Sequence, residues 1–190
     1  VQRNVPMDAM KVTLLQTSLV WHDPIANCDH FDEWLAKVDQ DSDLVLLPEM
    51  FSTGFTMSSS SMAESMEGPT VAWLRERARS HGFVLAGSVV IRDGDEYFNR
   101  LVWARPDGSI ETYDKRHRFR MAGEHLHYAA GNDRVVVELN GFRVLLMVCY
   151  DLRFPVFFRS RSDYDAIVCV ANWPAARQSA WNTLLLSLIH

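Results

Sequence analysis

The sequence predicts an α/β fold in which an enclosed parallel or mixed sheet alternates with helices, and three observations carry that reading. Leu44 to Leu47 and Val144 to Val148 are unbroken apolar runs, the pattern of strands buried on both faces. Between such runs lie segments of helical spacing, of which Ile25, Phe31, Trp34, Leu35 and Val38 are the clearest apolar stripe. At 190 residues and 48% hydrophobic composition, the chain can bury a sizeable core as a single domain. No repeat, low-complexity tract or shift in composition divides residues 1–190, and the polar stretch 1–9 is expected to be a disordered extension.

The elements follow in order. Lys11 to Gln16 reads as a first strand, and Asp23 caps a helix that Pro24 opens, with Cys28 on it. Asp43 begins the next strand, whose apolar run stops at Pro48-Glu49. A polar, methionine-rich stretch containing Ser58 to Ser61 is expected to form a rim or lid. Gly68-Pro69 opens a second helix with Val71, Leu74 and Ala78 on its apolar side, and Gly82 stops it. Phe83 to Ile91 and Tyr97 to Ala104 make a hairpin, and Ser109 to Asp114 is a strand that ends at Lys115. Arg116 to Asp133 is a long aperiodic connection, a length that favours a functional loop. Arg134 to Leu139 and Phe142 to Val148 are joined by Asn140-Gly141, a strong hairpin signal. Val156 to Arg161 reads as a short helix, Asp165 to Ala171 as a last strand, and Arg177 to Ile189 as a final amphipathic helix.

Charge and cysteine usage narrow the partners. A formal charge of -5 without a basic stripe argues against nucleic acid. No apolar run approaches the roughly 18 residues that span a bilayer, so no membrane partner is expected. Cys28, Cys149 and Cys169 are odd in number and lack metal spacing, which suits a reducing cytoplasm rather than a disulfide framework or zinc site. His117, His125 and His127 lie on an irregular segment without acidic or thiol companions at ligand spacing, and structural hydrogen bonding is the expectation for them. Cys28 and Cys169 are expected to be packing residues.

Glu49, Lys115 and Cys149 share one property: each directly follows an expected strand. Taken singly, Cys149 reads as a small buried hydrophobe, Glu49 as a solvated loop residue and Lys115 as a surface charge. If the strand ends share one rim of a sheet, the three form an acyl-transfer site. A thiol needs a base, a carboxylate in a partly dry pocket can take its proton, and a lysine can balance the charge that develops on a carbonyl oxygen.

P-E-M-F at Pro48 to Phe51, Y-D-K-R-H at Tyr113 to His117, G-E-H at Gly123 to His125 and C-Y-D-L-R-F-P at Cys149 to Pro155 occur in this order. With them the chain resembles the carbon-nitrogen hydrolase (nitrilase) superfamily from about Met10 to Leu186. The longer wording K-R-H-x-F-R-M-A-x-E-H-x-H-Y from Lys115, and V-A-N-W-P from Val170, resembles its omega-amidase branch. The resemblance implies a four-layer α-β-β-α sandwich that dimerises with a second copy, and no metal or organic cofactor. It implies that Cys149 is the nucleophile, Glu49 the general base and then acid, Lys115 the oxyanion partner and Glu124 a second, orienting glutamate. The backbone N–H of Tyr150 is the expected second oxyanion donor, and Asn172 and Trp173 are expected to line the acyl pocket. The implied substrates are terminal amides of short 2-oxo dicarboxylic acids, such as 2-oxoglutaramate. Such a substrate carries a carboxylate, for which Arg116, Arg118, Arg120 and Arg153 are candidates. A nitrile or a carbamoyl amide is the alternative substrate, since the shared triad of Glu49, Lys115 and Cys149 does not separate the three chemistries.

Relatives continue past the Arg177 to Leu186 segment with further strands, whereas this chain has Ser187 to His190. The sandwich is therefore expected to lack its C-terminal strands, with Leu184, Leu185, Leu186, Leu188 and Ile189 left facing water unless a partner covers them. An inactive remnant is the alternative to an active amidase on that ground. Met7 and Met10 both compete as the start.

Overall fold

Each apolar run of the sequence becomes a strand whose successive side chains enter two different cores. The computed structural model describes residues 9–186. Residues 1–8 of the extension expected over residues 1–9, and the Ser187 to His190 tail, lie outside the described residues.

Five strands form the first sheet: β1 (Val12–Leu14), β2 (Leu44–Leu46), β3 (Val84–Asp93), β4 (Glu96–Ala104) and β5 (Ile110–Asp114). They lie side by side in chain order, β1, β2 and β3 parallel, β4 and β5 added antiparallel. Three strands form the second: β6 (Val136–Leu139), β7 (Phe142–Val148) and β8 (Ala166–Val170), with β8 parallel to β7 and β6 its hairpin partner. Strand β7 shows how the layers stack. Val144, Leu146 and Val148 pack with Leu44, Val84 and Trp103 of the first sheet, while Leu145 and Met147 pack on the other side with Leu152, Phe158 and the half-buried Trp181. That alternation is the two-residue period of a strand serving two cores.

Helices close the outer faces. On the first sheet lie α1 (Pro24–Leu35) and α3 (Pro69–His81), whose Phe31, Leu35, Val71 and Leu74 meet Val45, Leu85 and Val102. On the second lies α5 (Gln178–Leu186), through Trp181 and Leu184. The order helix, sheet, sheet, helix is the expected α-β-β-α sandwich. The expected caps hold as well. Asp23 Oδ1 accepts the Ala26 N–H at 3.0 Å, Pro24 and Pro69 occupy first-turn positions, and Gly82 ends α3 in the left-handed region at φ 79°.

Four expectations change in detail. Ile25 is 76% exposed, because six residues from Phe31 is about 240° around a helix and off its buried face. Asn27 occupies that face instead, its side chain bonded to the Val20 N–H and to the Val20 and Ser52 carbonyls. The Ser58 to Ser61 stretch contains one helical turn, α2 (Ser59–Met62). The short helix after Cys149, α4, is Pro155–Phe158, since a proline suits the first helical position and fixes the start there. Leu184 is packed rather than left in water, while Leu186 is 62% exposed.

Candidate active site

The strand ends do converge, but not on one rim. Glu49 and Lys115 leave the first sheet after β2 and β5, which run in the same direction, and Cys149 leaves the second sheet after β7. The site therefore lies at one end of the interface between the sheets. The aperiodic connection from Arg116 adds a fourth group, Glu124, at the start of a 3-10 turn, Glu124–Leu126.

Lys115 is the hub. Its Nζ donates to Glu49 Oε1 at 2.7 Å and to Glu124 Oε1 and Oε2 at 3.0 and 2.9 Å. All three side chains are out of water, Lys115 at 1% exposure and both glutamates at 0%. Burial acts to lower the Lys115 ammonium, but the Glu49 and Glu124 charges outweigh it and hold its pKa above the usual lysine range. Glu124 is raised by burial and by Glu49, against the pull of Lys115, and it also accepts the Phe119 N–H. The remaining oxygen of Glu49 accepts the backbone N–H of Asn172 at 3.0 Å, which ties the segment after β8 to the carboxylate after β2.

Cys149 sits at φ 48° and opens the 3-10 turn Cys149–Arg153, and Met50, next to Glu49, sits at φ 47°. Left-handed backbone at residues with a Cβ costs of order 1–3 kcal/mol and gathers at functional sites. The Cys149 thiol is held well above the ordinary cysteine value, first by burial, then by the charge and hydrogen bonding of Glu49, with Lys115 opposing. Around it opens a cavity of about 250 Å³ whose lining includes Tyr150, Asn172, Trp173, Arg153 and Phe119. Among the described residues no three His, Cys, Asp or Glu side chains gather as a metal would need, and His117 is bonded to Asp151 at 2.7 Å.

Comparison with known proteins identifies the family. The sequence profile described as "Carbon-nitrogen hydrolase" matches residues 11–187. The chain belongs to the carbon-nitrogen hydrolase family. It is 50% identical over 179 residues to "Omega-amidase YafV" of Yersinia enterocolitica, covering 94% of this chain and 69% of that protein. It is 30% identical over 181 residues to the "2-oxoglutaramate amidase" of Bacillus subtilis, covering 93% and 70%. Among solved structures, a carbon-nitrogen hydrolase superfamily protein from Xanthomonas campestris with an arsenic adduct in its active site superposes with a TM-score of 0.90 at 49% identity, covering 93% of this chain and 69% of that one.

Three residues of this candidate site escape sequence reasoning. Asn99, in the middle of β4, donates from Nδ2 to Glu49 Oε1 at 2.8 Å and to Glu124 Oε1 at 3.3 Å. The signal was there: Asn99-Arg100 interrupts an otherwise apolar buried strand, where a polar side chain has to find partners. Asp151, fully buried two residues after Cys149, accepts the Val148 N–H at 3.0 Å, the Tyr113 hydroxyl at 2.7 Å and the His117 N–H at 2.9 Å. It thereby straps the cysteine turn to the chain on either side of Lys115. Arg177, at the start of the last helical segment, has no local sequence signal, yet it lines the cavity.

Proposed function

We propose that this carbon-nitrogen hydrolase is a cysteine amidase of the omega-amidase type, acting on the terminal amide of a small 2-oxo dicarboxylic acid, and that it works as a single domain. The observation that carries the proposal is the buried Glu49–Lys115–Glu124 cluster set against Cys149 at the wall of a 250 Å³ cavity. A cavity of that size suits a small metabolite rather than a drug-sized molecule or a polymer. The omega-amidase and 2-oxoglutaramate amidase relatives support the substrate class. The arsenic adduct in the Xanthomonas relative supports a thiol as the reactive group, since trivalent arsenic is thiophilic.

In this mechanism Glu49 takes the Cys149 proton as Sγ attacks the amide carbon. The negative charge that reaches the carbonyl oxygen is met by the Lys115 ammonium and the Tyr150 backbone N–H, donors that need no reorganisation. Glu49 returns the proton to the nitrogen, the C–N bond breaks, ammonia leaves, and a thioester remains on Cys149. Water then enters, Glu49 takes one of its protons, the hydroxyl adds to the thioester carbon, and the thiol departs with that proton as the acid is released. Glu124 keeps Lys115 charged and aimed, and Asn172 and Trp173 wall the acyl group. The reading includes a homodimer and a reducing cytoplasm, the latter in keeping with three unpaired cysteines.

The test is ammonia release from 2-oxoglutaramate by the chain and by its Cys149→Ala variant. Release by the first alone is expected; equal release by both overturns the cysteine mechanism. Light scattering behind size exclusion reads the dimer.

A further inference from the structure

The cavity that Cys149 lines is also lined by two arginines, Arg153 and Arg177, while Glu49, Lys115 and Glu124 do not line it. We infer that Arg177, assisted by Arg153, is the specificity-determining group that binds a carboxylate at the far end of the substrate, an assignment that deepens the omega-amidase reading and rests on it.

Three features lead there. First, neither guanidinium is committed. Arg77, Arg79, Arg100, Arg105, Arg134 and Arg143 each hold a carboxylate, whereas among the described residues Arg153 and Arg177 form no ion pair. Second, Arg177 is positioned in advance. Its carbonyl accepts the Trp173 Nε1–H at 2.9 Å, its N–H donates to the Pro174 carbonyl at 2.9 Å, and its guanidinium lies 5.0 Å from the Phe119 ring centroid. An aromatic face holds an arginine by cation-π attraction while leaving its edge N–H donors free for a planar, bidentate acceptor. Third, the charges orient a two-ended substrate. With both carboxylates ionised, Glu49, Glu124 and Lys115 sum to one negative charge, which repels a carboxylate from the catalytic end and leaves it for the arginine end. The amide then faces Cys149.

The same geometry ranks the arginines that sequence alone leaves equal. Arg116 is spent on the Asn132 carbonyl at 2.7 Å and Arg118 on the Tyr128 carbonyl at 3.0 Å. Arg120 is exposed and does not line the cavity. Arg153, four residues after the nucleophile on the same 3-10 turn, does.

The experiment compares the chain with Arg177→Met, Arg177→Lys and Arg153→Met in two measurements. One is the ratio of kcat/KM for 2-oxoglutaramate to kcat/KM for butanamide, a neutral amide of similar length. The other is calorimetric binding of glutarate to the Cys149→Ala background, which needs no turnover. The expected result is a fall of about ten- to a hundredfold in both the ratio and the glutarate affinity for Arg177→Met, the range for losing a hydrogen bond to a charged group. A smaller fall for Arg153→Met and partial retention by Arg177→Lys are expected, because a point charge keeps attraction and loses the fork. A ratio and an affinity that Arg177→Met leaves within twofold overturn the assignment while the amidase reading stands. If the unaltered chain hydrolyses neither amide, that reading fails, and glutarate binding alone decides: dependence on Arg177 sustains the carboxylate site, and independence overturns it.

Discussion

Replacing Lys115 by methionine removes a positive charge from a place that water does not reach, at nearly constant side-chain length. Glu49 and Glu124 then lose their counter-charge without gaining solvent, and only the Asn99 amide, at 2.8 and 3.3 Å, still bridges them. Stripping one partner from a buried ion pair costs about 3–5 kcal/mol, chiefly because the charge left behind is uncompensated. With a urea m-value of about 2 kcal/mol per molar, the unfolding midpoint of Lys115→Met is expected to fall by about 1.5–2.5 M at neutral pH. The dependence on pH follows from Glu124. Burial and Glu49 already raise its folded pKa and Lys115 pulls it down, so losing Lys115 raises it further. A carboxyl raised in the folded state is least costly below its unfolded pKa, and its cost grows as pH rises through the folded value. The gap between variant and parent is therefore smallest near pH 4.5, about the ordinary glutamate value, and widens toward pH 8. Urea titrations followed by tryptophan fluorescence at about pH 5, 6.5 and 8 measure it. A gap below about 1 kcal/mol, or one that does not change with pH, refutes the account of Lys115 as the counter-charge of two buried carboxylates.

Asp151→Ala strands buried donors on Val148, Tyr113 and His117 and is expected to destabilise the chain by about 2–4 kcal/mol, while Asp151→Asn, which keeps one acceptor, costs less; calorimetric melting separates the two. Gly131→Ala would place its Cβ 2.1 Å from the Asp114 carbonyl oxygen, backbone against backbone, directly beside Lys115. Relief requires one of the two segments to move, so about 1–3 kcal/mol of stability is expected to go together with a fall in kcat, read from urea titration and ammonia release.

What sequence shows of this site depends on where each residue lies along its element. Glu49, Lys115 and Cys149 end strands, and a charged or thiol residue that ends an apolar run stands out in one dimension. That β2 and β7 belong to different sheets does not, because a continuous apolar run reports burial on both faces and not which neighbour covers them. The α-β-β-α order came through the family resemblance, and the structure supplies its physical reason in the alternation of Val144, Leu145, Leu146 and Met147 between two cores. The exposure of Ile25 was legible from its angular separation from Phe31 and was obscured by reading apolar residues as one stripe. Arg177 depends on tertiary placement: only the packing of Trp173 and Phe119 brings it to the cavity.

The electrostatics of Cys149 decide how such a site can work. A nucleophilic cysteine is often activated by a neighbour that lowers its pKa, but here burial comes first, Glu49 adds to it, and Lys115 only partly offsets them, so the resting group is a thiol. Glu49 thus disfavours a free thiolate and yet, in the proposed mechanism, is the base that makes attack possible. The two roles separate in Glu49→Gln. The amide keeps the side chain's shape but cannot take the proton, so ammonia release is expected to fall by about 10²–10⁴-fold, the range for losing a general base. The same change removes a negative charge that raises the thiol, so the pH midpoint of Cys149 alkylation by iodoacetamide is expected to move down, toward more thiolate at a given pH. Cys28 is pushed by burial to about 12 and Cys169 is raised further, so the Cys149→Ala variant, alkylated in parallel, subtracts their share of the profile. A midpoint that stays or rises would mean that the Glu49 charge does not bear on the sulfur. A midpoint that falls while turnover is lost would mean that the nucleophile stays protonated until a seated amide can receive the charge, and that unproductive reaction with other electrophiles is limited by the carboxylate that catalysis requires.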